Sequence, residues 1–405
     1  MPDTPRPRIL FVDSDPNQLQ SLKRTLRDNR DRWELAYVER ASNALDAIQQ
    51  KPVDIVVSET HLDGMEGPDL LKEIQSHHPA TIRLLFSGET LHTPAREVVH
   101  HAHQFIAKPC DTQQLIETLE RVIRLRAQLN NTEMLSLVGG LGTLGSLPAV
   151  YQRLIQTLQS ENTTLSEIGK IVGEDMGMTT KLLQMVNSAF FGLPRKVTSP
   201  EHAVSLLGTE MVSSLVLGAS VFSQLAPQVV DAFELDRLWQ HSQSVSSLVH
   251  LLGKTLGLSQ QQLEVPIMAG LLHDLGKLIL ASGNGEASLR IVTLAKSQDK
   301  PLFALETEAL WRHHATIGAY LMGLWGLPLE AVEAVAHHHS PEQQTMNQTS
   351  KLLVFAANQL YHSIIDPGET DRSDIPVDPL MSLLGESVYD NWIRITQEYR
   401  DGQTD

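Results

Sequence analysis

The sequence is nearly devoid of cysteine. Cys110 is the only one among 405 residues, so an internal disulfide is excluded and a reducing, cytoplasmic location is expected. Aromatic residues make up only 5% of the chain. No apolar run is long enough to cross a bilayer, and the first residues lack the apolar segment of a signal peptide. We therefore expect neither a membrane span nor secretion.

Basic charge is also scarce. The 32 Lys and Arg residues are outnumbered by 48 Asp and Glu residues, which gives a net charge of −16. Because neutralising nucleic-acid phosphates requires clustered Lys and Arg, a nucleic-acid partner is not expected. A chain of 405 residues exceeds one ordinary hydrophobic core, so at least two domains are predicted.

The first part of the chain alternates short apolar runs with amphipathic segments. The pattern predicts helices over residues 17–26 and 41–49. Alternation of this kind indicates an α/β domain, a doubly wound parallel sheet covered on both faces, over residues 1–126. The runs that we predict as strands are residues 8–12, 33–38, 53–57, 82–86 and 104–107.

A helical pattern follows this domain. It begins at Asp111, a favourable N-cap residue, and leads towards a glycine-rich segment at 139–145. We expect residues 127–146 to form a helical, glycine-rich linker with a flexible joint at the glycines. A homodimer interface along the apolar face of this helix is an alternative to a packed connector, although Arg124 and Arg126 interrupt strict heptads.

Beyond residue 147 the apolar spacing is helical throughout. The segments 150–159, 165–172, 179–187 and 203–217 each predict a helix. We therefore expect an all-α domain over 147–345, which the C-terminal helices of residues 346–405 complete or extend.

Polar residues follow the ends of the predicted strands. In a doubly wound sheet, ligands bind beyond the carboxyl ends of the strands, so these residues form one candidate site. The set comprises Asp13, Ser14, Asp15, Glu59, Ser87 and Lys108, with Phe105 inside the last strand.

This set, together with the segment 53–67, resembles the response-regulator receiver domains. The resemblance implies a (βα)₅ fold, acidic residues for Mg²⁺, a phosphoacceptor carboxylate, a Ser that binds the phosphoryl group, a Lys that neutralises it and an aromatic switch residue at Phe105. It also implies a cis Lys108-Pro109 bond.

Two departures from the receiver pattern affect its chemistry. Glu59 stands where the family carries the phosphorylated Asp, and Ser14 replaces one of the acids that bind Mg²⁺. Phosphoryl transfer depends on accurate positioning, and Mg²⁺ prefers carboxylates. We expect weak or no Mg²⁺ binding and no phosphorylation, with Asp15 or Asp63 left as substitute acceptors. Glu59 reaching Lys108 or Ser87 to hold a fixed, activated-like state is a hypothesis.

A second set of residues runs through the helical part. Four histidine-bearing segments follow one another there, around His241, His273, His314 and His338, with Glu308 before His314. Their order resembles that of the HD superfamily, whose members bind one or two divalent metals and hydrolyse phosphate esters. The candidate metal ligands are His241, His273, Asp274, His314, His338 and His339, followed by Asn358. HD enzymes carry Asp at the last of these positions, and an amide is a weaker ligand than a carboxylate. His241 or His314 taken alone could equally be a hydrogen-bonded core residue.

The segments 182–192 and 203–208, with Trp325-Gly-Leu-Pro328 before the last His pair, resemble the HDOD branch of this superfamily. HDOD domains are regarded as non-catalytic signalling outputs. No Gly-Tyr-Pro follows the His pair, which disfavours the cyclic-di-GMP phosphodiesterase variant.

The sequence therefore predicts a two-component-type regulator with protein partners, among them a histidine kinase or another regulator upstream. The alternatives are a metal-dependent HD-type phosphohydrolase and a nucleotide-sensing module.

Overall fold

A computed structural model of the protein describes most of the chain. It covers residues 6–87, 101–129, 132–140, 149–158, 163–173, 199–209, 212–213, 216–217, 235–283, 290, 293–294, 297–298, 305–306, 314–339, 349–367, 380–381 and 384–402. The chain divides into two compact units, and the first boundary along the sequence falls between Ala149 and Val150.

The first unit contains a sheet of five parallel strands in the order β2-β1-β3-β4-β5. The predicted α/β doubly wound sheet is confirmed. The strands are β1 Arg8–Val12, β2 Glu34–Val38, β3 Ile55–Ser58, β4 Ile82–Ser87 and β5 Gln104–Ala107. β1 and β3 are mostly apolar because both faces of a parallel sheet are covered, and all residues of β3 are buried.

Helices cover the sheet. Apolar residues at helical spacing, such as Leu70, Leu71 and Ile74, face the strands and are fully buried. The helices of this unit are α1 Pro16–Thr25, α2 Ala41–Gln50, α3 Gly67–His77, α4 Thr112–Leu129 and α5 Thr132–Gly140.

The prediction of a flexible joint is wrong for the first two glycines of the segment. Gly139 and Gly140 are the last residues of α5, and a Cβ added at Gly139 would lie 1.7 Å from the carbonyl oxygen of Pro79. The Arg83 side chain donates a 2.8 Å hydrogen bond to the Gly139 carbonyl. At this position the missing side chain permits close packing against the sheet domain. Residues 141–148 lie outside the described part of the chain.

The apolar stripe of α4 is already in use within the chain. Leu115, Leu119 and Val122 are all buried in the single chain. A homodimer seam through these residues would require α4 to leave its own domain.

The second unit is helical wherever it is described. The helices from here to the end of the chain are α6 Ala149–Leu158, α7 Leu165–Gly173, α8 Pro200–Leu207, α9 Leu235–Thr255, α10 Gln260–Leu272, α11 Leu275–Gly283, α12 His314–Leu324, α13 Leu329–Ala336, α14 Thr349–Leu360 and α15 Glu386–Asp401. Residues Tyr320–Gly326, which include the end of α12, are assigned to the first unit. A π-helical turn, Tyr361–Ile365, follows α14. Among the described helices, none is both long and apolar enough to cross a membrane.

Two helix predictions of this unit changed. The helix expected over 203–217 is interrupted at Gly208, whose positive φ of 84° breaks the helical path, and the described residues 209, 212–213 and 216–217 beyond it are again helical. The helix expected over 179–187 lies outside the described residues.

The helices that carry the candidate ligands pack on one another. α9 contacts α10 and α14, and α10 contacts α13 and α14. A capping box of Ser259 and Gln262 fixes the start of α10, whose end leads directly into His273 and Asp274.

Candidate functional site

Lys108 is the centre of the first candidate site, at the carboxyl ends of the strands. Its Nζ donates a 2.8 Å hydrogen bond to Asp13 Oδ2 and a second hydrogen bond to Glu59 Oε2. The other carboxylate oxygen of Glu59 accepts a 2.7 Å bond from the Thr60 N–H. Both oxygens of Glu59 are therefore engaged by groups of the protein itself.

The charge of Lys108 is stabilised by this arrangement. Burial opposes the charged form, but the hydrogen bonds and charges of Asp13 and Glu59 outweigh burial and raise the pKa of Lys108. All three side chains are at most 15% exposed. A lysine cation thus occupies the space between two carboxylates, where a metal ion would otherwise be needed.

The neighbouring acid has a structural task. Asp15 caps α1 by accepting a 2.9 Å bond from the Asn17 N–H, and its own N–H donates to Asp13 Oδ1 at 2.9 Å. Ser14 donates to the carbonyl oxygen of His61 at 3.2 Å. Ser14 offers no carboxylate, and Asp15 is held by the helix.

The two remaining members of this set are located by their backbones. Ser87 is the last residue of β4 and pairs with Ala107, whereas Phe105 pairs with Leu85. Their side chains lie outside the described part of the structure. The Lys108-Pro109 peptide bond is cis, as expected.

The second candidate site is the histidine cluster of the helical unit. Every side chain of the predicted set is buried, with at most 3% exposure. His241 lies in α9, His273 and Asp274 form the turn between α10 and α11, His314 begins α12, His338 and His339 follow α13, and Asn358 lies in α14.

Close backbone packing brings two of these segments together. A Cβ added at Gly276 would lie 1.9 Å from the carbonyl oxygen of His314. Only glycine permits this approach of α11 to the start of α12. As a result His314 Nε2 lies 3.3 Å from Asp274 Oδ1.

The ligand atoms form two groups that share Asp274. One group is Asp274, His314, His338 and His339, and the other is His241, His273 and Asp274; within each group the ligand atoms lie within 4.8 Å of one another. In the second group the Nε2 atoms of His241 and His273 lie 3.4 and 3.3 Å from Asp274 Oδ2. One carboxylate is therefore shared by the two groups.

The tautomers of three histidines follow from their outer hydrogen bonds. His273 Nδ1 lies 2.7 Å from the Gly270 carbonyl oxygen, and His338 Nδ1 lies 2.6 Å from the Val335 carbonyl oxygen. A carbonyl oxygen only accepts, so each Nδ1 carries the proton and donates it. His314 Nδ1 donates in the same way to Glu306 Oε2 at 2.6 Å. When neutral, the three rings turn their Nε2 lone pairs towards Asp274, as metal-binding histidines do.

Burial favours the neutral form of the His241, His338 and His339 rings. It lowers the pKa of His338 to about 3 and holds the pKa of His241 and His339 well below the ordinary histidine value. For Asp274, burial opposes ionisation, but the charges of His273 and of Lys277, whose Nζ is 2.8 Å away, hold its pKa well below the usual range. The site therefore presents the Asp274 carboxylate together with the neutral rings of His241, His338 and His339 at neutral pH.

This donor set fits a divalent metal. His338 Nε2 and Asp274 Oδ1 are buried, lie 3.7 Å apart and have no hydrogen-bond partner among the described residues. His314 Nε2 cannot donate to that oxygen, because the ring proton is on Nδ1. Lone pairs that converge without a proton between them are stabilised by a cation, and imidazole with carboxylate suits first-row transition ions.

Sequence reasoning missed three members of this site. The carboxylate on His314 belongs to Glu306, whereas Glu308 lies outside the described residues. Lys277 binds Asp274 from one helical turn further on. His362 is buried beside His241, with ring centroids 5.0 Å apart. Helical spacing from Asp274 and Asn358 could have revealed Lys277 and His362; nothing in the sequence distinguishes Glu306 from Glu308.

Comparisons with known proteins agree with both domains. Residues 9–120 match the model of the response regulator receiver domain, and residues 144–341 match that of the HDOD domain. The receiver domain of an HD domain-containing protein from Pseudomonas fluorescens is 30% identical; the alignment covers 32% of this chain and 95% of that one, with a TM-score of 0.30.

Two further relatives extend into the helical part. A "Putative phosphohydrolase" from Shewanella amazonensis is 21% identical, with 68% of this chain and 98% of that chain covered and a TM-score of 0.51. An uncharacterized protein of Treponema pallidum is 24% identical over 265 residues, which are 64% of this chain and 50% of the relative. This chain thus spans half of the length of that relative.

A receiver sheet domain precedes an HD-like helical domain in this chain, a combination that fits a signalling regulator. The chain joins a response regulator receiver domain to an HDOD domain.

Proposed function

We propose that this protein is a signalling regulator whose receiver is held in one fixed state and whose HDOD domain provides the output through contacts with a partner protein. The observation that carries the proposal is Lys108, which binds Glu59 and Asp13 together. In this state the receiver acts as a docking module for its signalling partners and needs no phosphoryl group.

The longer side chain of Glu59 explains the fixed state. A phosphoryl group on a receiver aspartate brings negative charge close to the lysine of the site; here the Glu59 carboxylate reaches Lys108 directly. An attacking carboxylate oxygen has to be free, and both oxygens of Glu59 are hydrogen-bonded. The geometry favours a permanent ion pair over a phosphoacceptor.

Treatment of the full chain with acetyl phosphate tests this part. Intact-mass measurement is expected to find no added phosphoryl group on the native protein. The matched comparison is the double variant Glu59→Asp with Ser14→Asp, which restores both acids of the receiver pattern and is expected to gain labelling. Stoichiometric phosphate on the native chain, mapped to Asp15 or Asp63, would refute the fixed state.

The HDOD output is supported by the burial of its ligand cluster. A hydrolase must bring a phosphate ester to its metal, yet every side chain of the cluster is at most 3% exposed. A buried centre suits a structural role that holds the helices in one arrangement for a partner. Substitutions in the cluster should therefore alter partner binding only as far as they alter folding.

A metal-dependent phosphohydrolase is the second candidate. The convergent Nε2 lone pairs around Asp274 favour it, and the Shewanella relative carries a phosphohydrolase name. Such a reaction uses a metal-bound water as nucleophile. In this site Asp274 and the imidazoles would hold the metal, and Lys277 would neutralise negative charge beside Asp274.

Turnover of bis(p-nitrophenyl) phosphate by the metal-loaded full chain decides between the two. We expect no turnover above that of the variant His273→Ala with Asp274→Ala, although the native chain holds metal. Metal-dependent turnover that disappears in this double variant would establish the hydrolase instead.

A further inference from the structure

An exposed row of basic side chains runs along α1 and the 3₁₀ turn Arg27–Asn29 that follows it. The buried face of this segment is formed by residues at helical spacing, which are Leu22, Leu26, Asn29 and Trp33. An exposed basic residue directly follows each of the first three of them. Lys23, Arg27 and Arg30 therefore share one face of the segment, beside the buried face.

Arg6 adds a fourth positive charge to this face. It lies before β1, is exposed, and donates a 3.0 Å hydrogen bond from its guanidinium to the carbonyl oxygen of Arg30. At the other end, Lys23 Nζ lies 5.2 Å from the centroid of the Tyr37 ring in β2. The four side chains Arg6, Lys23, Arg27 and Arg30 are called the basic stripe below.

The basic stripe has no carboxylate of its own. None of its four side chains belongs to an ion pair among the residues that the structure describes. The acids nearby have other partners, since Glu34 binds Lys51 and Arg8, and Glu120 binds Arg32. In a chain with 48 acidic and 32 basic residues, exposed cations are expected to find carboxylates, so an unpaired row of them is an exception.

Helix stabilisation explains only part of the basic stripe. Lys23 lies in the last turn of α1 and Arg27 in the 3₁₀ turn, where a cation interacts favourably with the carbonyl end of the helix. Arg6 comes from a different part of the chain. Its hydrogen bond to Arg30 uses one of the five guanidinium N–H groups and brings a further positive charge to a face that is already positive.

We propose that the basic stripe docks an acidic segment of a partner protein, a short run of Asp and Glu side chains. The inference deepens the proposed docking role of the receiver domain and rests on it. Three of the four side chains are arginines, whose planar guanidinium groups bind carboxylates with two parallel hydrogen bonds. From Lys23 to Arg30 the stripe extends about 10 Å along the helical segment, the length of three or four residues of extended peptide.

The charge of the whole chain favours a short acidic segment over a larger polyanion. A membrane surface or a nucleic acid presents negative charge over a wide area, and a chain with a net charge of −16 is repelled by it. A few carboxylates on a partner protein contact the stripe alone. Screening limits such interactions to about 8 Å at physiological ionic strength, so the attraction stays local.

Fluorescence anisotropy of a fluorescein-labelled peptide of eight Glu residues, titrated with the full chain, tests the proposal. We expect the native chain to bind the peptide and the affinity to fall as salt is raised. The variant Arg27→Gln with Arg30→Gln removes two charge-assisted contacts and should weaken binding by about 10-fold or more. All four stripe residues are exposed, so thermal unfolding of this variant should match that of the native chain.

The matched control is Arg394→Gln with Arg400→Gln, in α15. It makes the same change in net charge at exposed arginines that already pair with Glu398 and Asp401. Its affinity for the peptide should stay within about twofold of the native value, because the stripe is intact. An equal loss in both double variants would show that net charge alone attracts the peptide and would overturn the proposal.

Two further measurements identify a different occupant. Co-sedimentation of the native chain with phosphatidylserine vesicles, lost in the stripe variant, would assign the basic stripe to a lipid surface. Self-association of the native chain in sedimentation velocity, lost in the same variant, would assign it to a second copy. Either result overturns the proposal, as does failure of the native chain to bind the peptide. Labelling by acetyl phosphate reports the fixed receiver separately, so failure of the basic stripe is distinguishable from failure of the proposed function.

Discussion

The receiver site and the histidine cluster both place a lysine on a buried carboxylate, but with different consequences. In the receiver, Lys108 binds Asp13 and Glu59 together, and the backbone of Thr60 occupies the remaining oxygen of Glu59. In the cluster, Lys277 binds only one oxygen of Asp274. The other oxygen faces the Nε2 atoms of His314 and His338, which carry no proton when the rings are neutral.

The difference teaches where an external cation is needed. A site whose negative charge is neutralised by its own lysine is complete within the protein. A site in which neutral imidazoles and a carboxylate converge is stabilised by a metal ion. In the receiver site, the Glu59 carboxylate that stands in place of the receiver aspartate binds the lysine of the site. The histidine cluster, in contrast, presents the donors of a metal centre.

The largest expected effect is the loss of metal from an Asp274→Asn variant. Removal of the shared carboxylate affects both ligand groups, so metal analysis of the full chain should find little or none. Asp13→Asn is the matched control, because the receiver does not depend on metal, and its metal content should equal that of the native chain. Loss of metal from Asp13→Asn would erase the contrast between the two sites.

Acid should destabilise the metal-free protein through the cluster. The folded-state pKa values of His241, His338 and His339 lie below the ordinary value of about 6.5, so the unfolded chain binds more protons below that pH. Stability is therefore retained above pH ~6.5 and falls below it, by about 1.4 kcal/mol per pH unit for each histidine. Denaturant unfolding of chelator-treated protein between neutral and mildly acidic pH measures this slope. Equal stability across that range would mean that the buried rings are not neutral.

Replacement of Lys108 by Met should cost roughly 3 kcal/mol of receiver stability, because the Asp13 and Glu59 carboxylates are left facing each other without a cation. Mg²⁺ should then raise the melting temperature of the variant more than that of the native chain. This response would show that the lysine occupies the place of a metal ion. A variant as stable as the native chain, or one indifferent to Mg²⁺, would count against the closed receiver site.

The smallest effect is expected at the end of α5. Gly139→Ala should destabilise the first unit by about 2 kcal/mol, since the new Cβ collides with the Pro79 carbonyl. Gly140→Ala, whose Cβ meets its nearest neighbour at 3.9 Å, should leave stability unchanged or slightly raised. Thermal unfolding of the two variants compares a packed glycine with an open one. Equal thermal stability of the two variants would support the flexible joint predicted from the glycine-rich sequence.

Much of the fold could be predicted because local patterns carry it. The bounds of β1 and β5 agree with the prediction, since apolar runs of buried parallel strands begin and end abruptly. The candidate ligands of the cluster were found by residue type and order alone. Their grouping around Asp274 depends on how α9 to α14 pack, which no local pattern encodes.

Other features depended on contacts between distant segments. Gly139 reads as a flexible residue in the sequence, and only its position against Pro79 identifies it as a packing residue. Glu306 is one of several acids before His314, and its role follows from the turn that brings it to the ring. Helical spacing from Asn358 indicates His362, but the proximity of its ring to His241 depends on α14 packing against α9.

Native mass spectrometry of the full chain after treatment with acetyl phosphate tests the central claim most directly, because one spectrum reports both sites. The predicted species carries divalent transition metal and no phosphoryl group. A phosphorylated, metal-free chain would contradict the account at both sites, since the receiver would then be open and the histidine cluster would be complete without a cation.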